Sequence, residues 1–320
     1  MVHVSSAQGK SSMPLLYITE DEVSRLLDMP MAVDAVEGAF RALAEGKAHN
    51  VPRVRAKGQG IVLHSMCAAA DYLGLVGWKQ YTTTRQGACF HVGLYDQLSG
   101  ELVALVEADR LGQLRTGAVT GAAAKLLARQ ASDEVGLIGC GWQAESQLAA
   151  VATTMKLKRA FCHSRNKEHR EKFAEKMSDS LKLEVIPTES AKETVQSKPI
   201  VITATTSREP VFDGNWLDPS TLICAIGSNW LNKAEIDSTT IRRAGAIVCD
   251  SVEACRNEAG DFVASIEQGE FQWEEAMELA DVVGEKSLPR SSDDDIVIFK
   301  SVGLAIEDVA LAAKLLEIRN

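Results

Sequence analysis

Residues 134–155, EVGLIGCGWQAESQLAAVATTM, decide the fold. An apolar run, EVGLI, leads into Gly139-Cys140-Gly141-Trp142-Gln143-Ala144 and then into a helical stretch. This is G-x-G-x-x-A between a strand and a helix. The first glycine permits the tight turn. The second lets the backbone approach a pyrophosphate, and the third small residue lets helix and strand pack closely. The helix N-terminus then offers free N–H groups and the positive end of its dipole to an anion. The motif alone is weak; its strand–turn–helix context gives it meaning. The stretch predicts a nicotinamide dinucleotide site, with contacts from Gly139, Gly141, Trp142, Gln143 and Ala144.

Downstream, strands and helices alternate. RAFCHS (159–164) is a strand, NKEHREKFAEKMSDSL (166–181) a helix and LEVIP (183–187) a short strand. PIVITATT (199–206), STLICAIG (220–227), GAIVCD (245–250) and DIVIFKSVG (295–303) are further apolar strands, and residues 304–319 a closing helix. Near-continuous apolar strands alternating with helices imply a parallel sheet covered on both faces, a Rossmann-type doubly wound α/β domain. Ligands bind such sheets at the carboxyl ends of strands. Thr205, Ile226, Gly227, Ser228, Ser301 and Gly303 are therefore expected around the cofactor. An NAD site usually carries an acid about 20 residues after the glycines. Here stand Ser164, Arg165 and Asn166, with no acid before Glu168. A guanidinium with hydroxyl and amide donors suits a 2′-phosphate, so NADP(H) is preferred. If Arg165 only stacks on adenine, NAD(H) also binds.

Upstream the periodicities differ. Residues 20–46 are helical, broken at Met29-Pro30. Residues 50–110 hold short apolar runs separated by Gly and polar turns, a largely antiparallel sheet in an α+β domain. Asp96 to Gly100 reads as a hairpin connection. Residues 117–130 are Ala-rich and helical, opened by Arg115-Thr116-Gly117, and Thr116 is expected at the cofactor phosphates. The domains predicted are 14–117 with 304–320, and 118–303, after a flexible lead of residues 1–13.

Composition bounds the function. The chain has 320 residues, 46% hydrophobic and 24% charged, with net charge −10. An acidic surface repels phosphate backbones, which argues against nucleic-acid binding. Seven cysteines without CxxC read as reduced, buried thiols of a cytoplasmic protein. The six histidines show no metal-ligand spacing, and no metal is expected. No apolar run reaches the roughly 18 residues that span a bilayer. The N-terminus lacks a secretory pattern. Asp293–Asp295 reads as a solvated turn, and Trp216 and Trp230 as packing or lid residues.

Seven stretches carry a family resemblance: PRVR (52–55), GWKQYTTT (77–84), LGQLRTGAVTGAAAKLLAR (111–129), GLIGCGWQA (136–144), ICAIGSN (223–229), VCDSVEAC (248–255) and FKSVGLAIED (299–308). The chain resembles the ornithine cyclodeaminase/mu-crystallin family, which includes alanine dehydrogenases and imine or ketimine reductases. The resemblance implies a homodimer built on the first domain and a substrate carboxylate facing Arg53, Lys79 and Arg115. It makes the first domain the substrate-binding and dimerisation unit.

Physical chemistry fits those residues to the task. Arg53 stands just before a strand. Lys79 lies in an apolar run, where an ammonium needs an anion. Two guanidinium groups can grip an α-carboxylate, and the ammonium can orient the imine and move a proton. Lys79 and Arg115 are thus the catalytic candidates, with Arg53 binding substrate. Internal salt bridges are the alternative for each. Cyclodeaminase members carry an Asp where this chain has Asn229. An amide is no general base near neutral pH, so cyclisation of ornithine is disfavoured, and Asn229 remains a substrate contact. Arg85 and His91 could meet a second carboxylate, as on iminosuccinate; a solvated hairpin is the alternative. The expected activity is NAD(P)H-dependent reduction of an α-imino or α-keto acid, of iminosuccinate or alanine type. A cyclodeaminase-type lyase and a non-catalytic, mu-crystallin-like ligand carrier are the competing readings.

Overall fold

A computed structural model describes residues 15–319; the lead expected over residues 1–13 lies outside them. One sheet contains β1 (Leu16–Ile18), β2 (Ala48–Gly58), β3 (Ile61–Ala70), β4 (Leu75–Thr84), β5 (Ala88–Asp96) and β6 (Leu102–Glu107), in the order β1-β6-β5-β4-β3-β2. Its pairs are antiparallel except β1 with β6. Alternation sets the faces. Lys79 pairs with Met66 and Val92, and Tyr81 with His64 and Phe90, so these side chains share the inner face. Helices α1 (Glu20–Leu26) and α2 (Met29–Ala44) precede β2. Asp28 caps α2 and puts Pro30 in its first turn, so the break falls just before Met29.

The strand β2 was not read from the sequence. Pro52 has no N–H, and the β2–β3 register shifts between Val51 and Val54. Arg53 therefore sits on the irregularity within the strand, not before it. Such a shift re-aims a side chain.

The second sheet is wholly parallel, in the order β13-β12-β14-β11-β10-β7-β8-β9. Its strands are β7 (Glu134–Ile138), β8 (Arg159–His163), β9 (Glu184–Pro187), β10 (Ile200–Thr203), β11 (Leu222–Ala225), β12 (Ala244–Cys249), β13 (Met277–Glu278) and β14 (Ile296–Lys300). β10, β11 and β14 are buried at every residue, which is why they read as unbroken apolar runs. The order reverses between β7 and β10. That switch point opens a crevice at the strand ends.

Helix α3 (Asp109–Leu127) joins the sheets and is buried along most of its length. It starts six residues before Arg115, so Arg115, Thr116 and Gly117 lie inside it rather than at its opening. Glu20 takes its first-turn amides, from Asp109 at 3.1 Å and Arg110 at 2.6 Å. A cap supplied from 90 residues away leaves no local signature. The boundary expected at 117–118 falls within this continuous helix. The remaining helices are α4 (Trp142–Thr154), α5 (Lys167–Leu181), α6 (Ala191–Val195), α7 (Ser238–Arg243), α8 (Val252–Glu258), α9 (Val263–Glu267), α10 (Leu279–Val283) and α11 (Ala305–Arg319). Among the described residues, five cysteines are buried, Cys67 and Cys89 are exposed, and all seven are free. No described helix is long and apolar enough to cross a membrane.

Gly117 is where α3 and α4 meet: a Cβ there would overlap the Ser146 carbonyl. Alanine favours a helix interior over glycine by about 1 kcal/mol. At this crossing we expect the opposite sign, with Gly117→Ala losing about 1–3 kcal/mol by overpacking. Gly38→Ala in α2, with open space around it, is the control and should be neutral or stabilising. Urea unfolding of both variants measures this. A stabilised Gly117→Ala would refute the close crossing.

Candidate active site

The turn after β7 is built around Gly139, whose φ is 111°. A Cβ there would strike the Ala204 carbonyl, while its N–H donates to His163 O at 2.9 Å. Gly141 caps α4 and has nothing within 4 Å of where a Cβ would stand. The first-turn amides of α4 lack acceptors within the helix. An open Gly141 before free amides fits a dinucleotide pyrophosphate. Ala144, the third small residue, is fully buried.

At the end of β8, two of the three predicted polar residues support their own loop. The Asn166 side chain caps α5, its Oδ1 accepting from His169 N at 2.9 Å. The Ser164 hydroxyl donates to Asn166 O at 3.1 Å. Arg165 is exposed and makes no hydrogen bond or ion pair among the described residues.

A cavity of about 390 Å³ joins this turn to the antiparallel sheet. Gly141, Trp142, Gln143, Thr116, Thr205, Ile226, Gly227, Ser301 and Gly303 line it, and so do Arg53, Lys79, Arg115 and Asn229. Thr116 faces it from mid-helix, its hydroxyl bonded to Gly112 O at 2.6 Å. Ser228 does not reach it: the side chain is buried and donates to Lys233 O at 3.2 Å.

All three cations are buried and paired internally. Arg53 pairs with Glu258 and donates to the carbonyls of Val302 at 2.9 Å and Gly303 at 3.2 Å. Lys79 pairs with Asp308 at 2.8 Å. Arg115 pairs with Glu307 at 2.9 Å and Asp308 at 3.2 Å. Salt bridging and cavity lining were posed as alternatives; the residues do both. Burial pulls Lys79 down to about 8, against the opposing pull of Asp308. Burial pushes Glu307 up to about 8, outweighing Arg115. Burial also works against the Arg115 charge, but Asp308 and Glu307 hold it firmly protonated.

Two buried carboxylates hold the cavity's loops. Asp250 Oδ2 accepts from the Ser301 hydroxyl at 2.7 Å and from the amides of Val302 at 2.8 Å and Gly303 at 2.7 Å. Glu235 accepts from the Thr205 amide and hydroxyl at 2.6 and 2.7 Å and from Gly227 N at 2.6 Å. Neither was read from the sequence, although each is an acid close to apolar residues, the cue that flagged Lys79.

The antiparallel sheet adds an aromatic wall that was also missed. Tyr81 and Phe90 line the cavity and stack at 4.9 Å. His64 stacks behind Tyr81 at 4.1 Å and is held down to about 4 by burial, with Arg55 and Arg53 adding to it. Arg55 lies 4.3 Å from the Trp230 ring and donates to Asn229 O at 3.0 Å, tying that loop to the sheet.

Two predicted substrate contacts lie elsewhere. His91 pairs with Gln80, one residue out of phase with Lys79 and Tyr81, so it projects from the opposite face. Arg85 sits exposed at the β4–β5 hairpin tip. The polar run 81–91 offered no alternation from which to read that parity.

Residues 16–318 match the sequence model of the ornithine cyclodeaminase/mu-crystallin family. An alanine dehydrogenase of Archaeoglobus fulgidus is 32% identical over 310 residues, 94% of each chain. The structure of Thermococcus litoralis Δ1-pyrroline-2-carboxylate reductase in complex with NADH and L-proline aligns with a TM-score of 0.89 at 32% identity, over 94% of this chain and 96% of that one. An archaeal alanine dehydrogenase dimer with bound NAD gives 0.89 at 31% identity, over 95% of both chains. The chain belongs to the ornithine cyclodeaminase/mu-crystallin family.

Proposed function

We propose that the protein reduces the C=N bond of a small α-imino acid, cyclic or apolar in its side chain, to the amino acid, with NAD(P)H as reductant. It is an oxidoreductase acting on C=N and CH–NH2 bonds. The observation that carries this reading is one cavity lined by both the Gly141 turn and the cations Arg53, Lys79 and Arg115. Relatives that are an alanine dehydrogenase and a Δ1-pyrroline-2-carboxylate reductase, the latter in complex with NADH and L-proline, support it.

Gly141 and the first-turn amides of α4 would hold the pyrophosphate, with Thr205, Ile226 and Gly227 beside the ring. A bound nicotinamide supplies or accepts hydride. Arg53 and Arg115 orient the substrate carboxylate. With Glu307 largely protonated near neutrality, the buried cluster behind the cavity holds four cations (Arg53, Arg55, Lys79, Arg115) against three carboxylates (Glu258, Asp308, Asp250), an excess of one positive charge apart from the exposed Asp109 at the rim. Lys79 gives a proton to the imine nitrogen, and in the reverse direction takes one from the amine.

The side-chain preference follows from the wall. Tyr81 and Phe90 favour apolar or ring-shaped groups, and Asp109 also lines the cavity, where it would repel a second carboxylate. Iminosuccinate loses the second cation it required, because Arg85 and His91 stand elsewhere. Asn229 lines the cavity without offering a base, which disfavours cyclodeamination. The end of β8 presents Arg165 and no carboxylate, so NADP(H) is preferred, and NAD(H), which relatives bind, is accepted. The protein works as a homodimer built on the outer face of the antiparallel sheet, where Val54, Leu63, Val76 and Tyr95 are exposed.

Oxidation of NADPH and NADH with cyclic imino acids, and with pyruvate or oxaloacetate plus ammonia or methylamine, tests the reading. Cyclic or pyruvate-derived imines should turn over and oxaloacetate-derived ones should not. Arg165→Ala should raise KM for NADPH about tenfold or more, since a charge-assisted hydrogen bond contributes about 1.5–3 kcal/mol. No turnover at all would favour the carrier, and conversion of ornithine to proline without net cofactor change would favour the lyase.

Lys79 also fixes a pH dependence. Its pKa near 8 means that kcat/KM for reduction should fall as pH rises through about 8, where the donor loses its proton. Amine oxidation should rise over the same range. Lys79→Met should abolish the limb and cost about 10²–10⁴-fold in rate. An unaltered limb in that variant would assign the proton to another group.

A further inference from the structure

Helix α11 brings two consecutive carboxylates, Glu307 and Asp308, to the cavity, and both are fully buried. They do different work. Glu307 bonds to Arg115. Asp308 uses one oxygen, Oδ1, for two cations: Lys79 Nζ at 2.8 Å and Arg115 Nε at 3.2 Å. Its other oxygen, Oδ2, has no hydrogen-bond partner among the described residues.

The groups facing Lys79 come from five elements. Asp308 comes from α11, Arg115 from α3 and Arg53 from β2. The rings of Tyr81 on β4 and Phe90 on β5 lie 5.8 and 5.5 Å from Nζ. Gly112 of α3 closes the remaining side, where an added Cβ would stand 2.9 Å from the ammonium. Asp308 is thus the one anion bonded to Lys79 among the described residues, set against two guanidinium groups.

We propose that Asp308 is the positioning residue for Lys79: its Oδ1, shared between the two cations, fixes the ammonium's distance from the carboxylate-gripping Arg115 and holds the proton donor toward the cavity. This rests on the reading of Lys79 as proton carrier. Burial and the two arginines all favour the neutral amine, and only Asp308 opposes them. Without that carboxylate Lys79 would be largely deprotonated at neutral pH and unable to serve reduction. Because a single oxygen serves both cations, the donor and the carboxylate anchor are spaced by one atom rather than by two independent side chains.

Asp308→Asn tests it. The alkaline limb of reduction should move toward acid by about 1–3 pH units, the span an opposite charge at this distance controls. The fall should appear in kcat at neutral pH, with little change in KM for the imino acid. Glu307→Gln, which keeps the neutral state Glu307 holds below about pH 8, should leave both KM at neutral pH and the limb near 8 little changed. NMR of protein labelled in its lysine side chains follows Lys79 directly, its signal identified by loss in Lys79→Met. A Lys79 titration that moves toward acid in Asp308→Asn supports the proposal even if no imino acid turns over; in that event the proposed function fails and the pairing stands. An unmoved titration in an active Asp308→Asn enzyme overturns it. Should Asp308→Asn not fold, the double variant with Lys79→Met removes the unpaired ammonium and must recover thermal stability; failure to do so overturns the pairing. Asp308→Glu, which keeps the charge, must keep the limb near 8, and a limb displaced by a full unit counts against it.

Discussion

Taking an ion out of water costs several kcal/mol unless a partner and further hydrogen bonds offset it, and this fold buries a set of them where its two sheets meet. Arg53 on β2 finds Glu258 on α8, Lys79 on β4 finds Asp308 on α11, and Arg115 on α3 finds Glu307. The lysine and both acids of the α11 pairs are at most 2% exposed. Each acid lies on a different element from its cation, so none of these buried groups finds its partner until the elements dock. Docking of the sheets and assembly of the cavity are therefore one event. The close α3–α4 crossing at Gly117 serves the same junction by keeping the dinucleotide turn within reach of the cations on α3 and β4.

Two more buried acids make the cavity floor rigid. Asp250 gathers the loop after β14, and the same loop offers the carbonyls of Val302 and Gly303 to Arg53. Glu235 gathers the loops after β10 and β11. Behind it, Asp261 accepts from Glu235 N at 2.6 Å and pairs with Lys300 at 2.8 Å. These contacts leave the strand-end loops few free polar groups of their own. Such a site meets its ligand with dipoles already aligned and little to reorganise.

What could be read from the chain divides by range. The β7 turn was legible because its geometry is local: a positive φ, a close backbone and a helix start fall within six residues. The parallel strands were legible because burial on both faces leaves apolar runs, and most of the antiparallel ones because Gly and polar turns separate their short apolar runs. Arg53, Lys79 and Arg115 were found through the resemblance, and for Lys79 also through the cost of an ammonium in an apolar run. Their counterions were not, since the partners lie 205, 229 and 192 residues away and nothing local names them. The start of α3 was lost for the same reason, its cap coming from Glu20. His91 failed on a smaller scale: in a strand, one residue of parity decides which face a side chain occupies.

The charge balance of the cavity ties substrate hold to proton supply. Below about pH 8, Lys79 is charged and Glu307 neutral, so in the buried cluster, leaving aside Asp109 at the rim, cations exceed carboxylates by one. Glu307 has its folded pKa raised above the ordinary 4.5, so the stability it lends is present in acid and lost as pH climbs through about 8. Lys79 has its pKa lowered from 10.5, so burying it charged is the unfavourable state, and that burden is relieved only above about pH 8, as the pH climbs toward 10.5. The contribution of this pair to stability is thus lowest near pH 8, where the loss from Glu307 is complete and the relief at Lys79 begins, and there the charge of the buried cluster changes from one positive to one negative as both protons leave. The site above that pH lacks its donor and repels a carboxylate at once. Two buried groups with opposite ordinary charges, brought to a common pKa by the same desolvation, make binding and proton transfer fail together rather than separately.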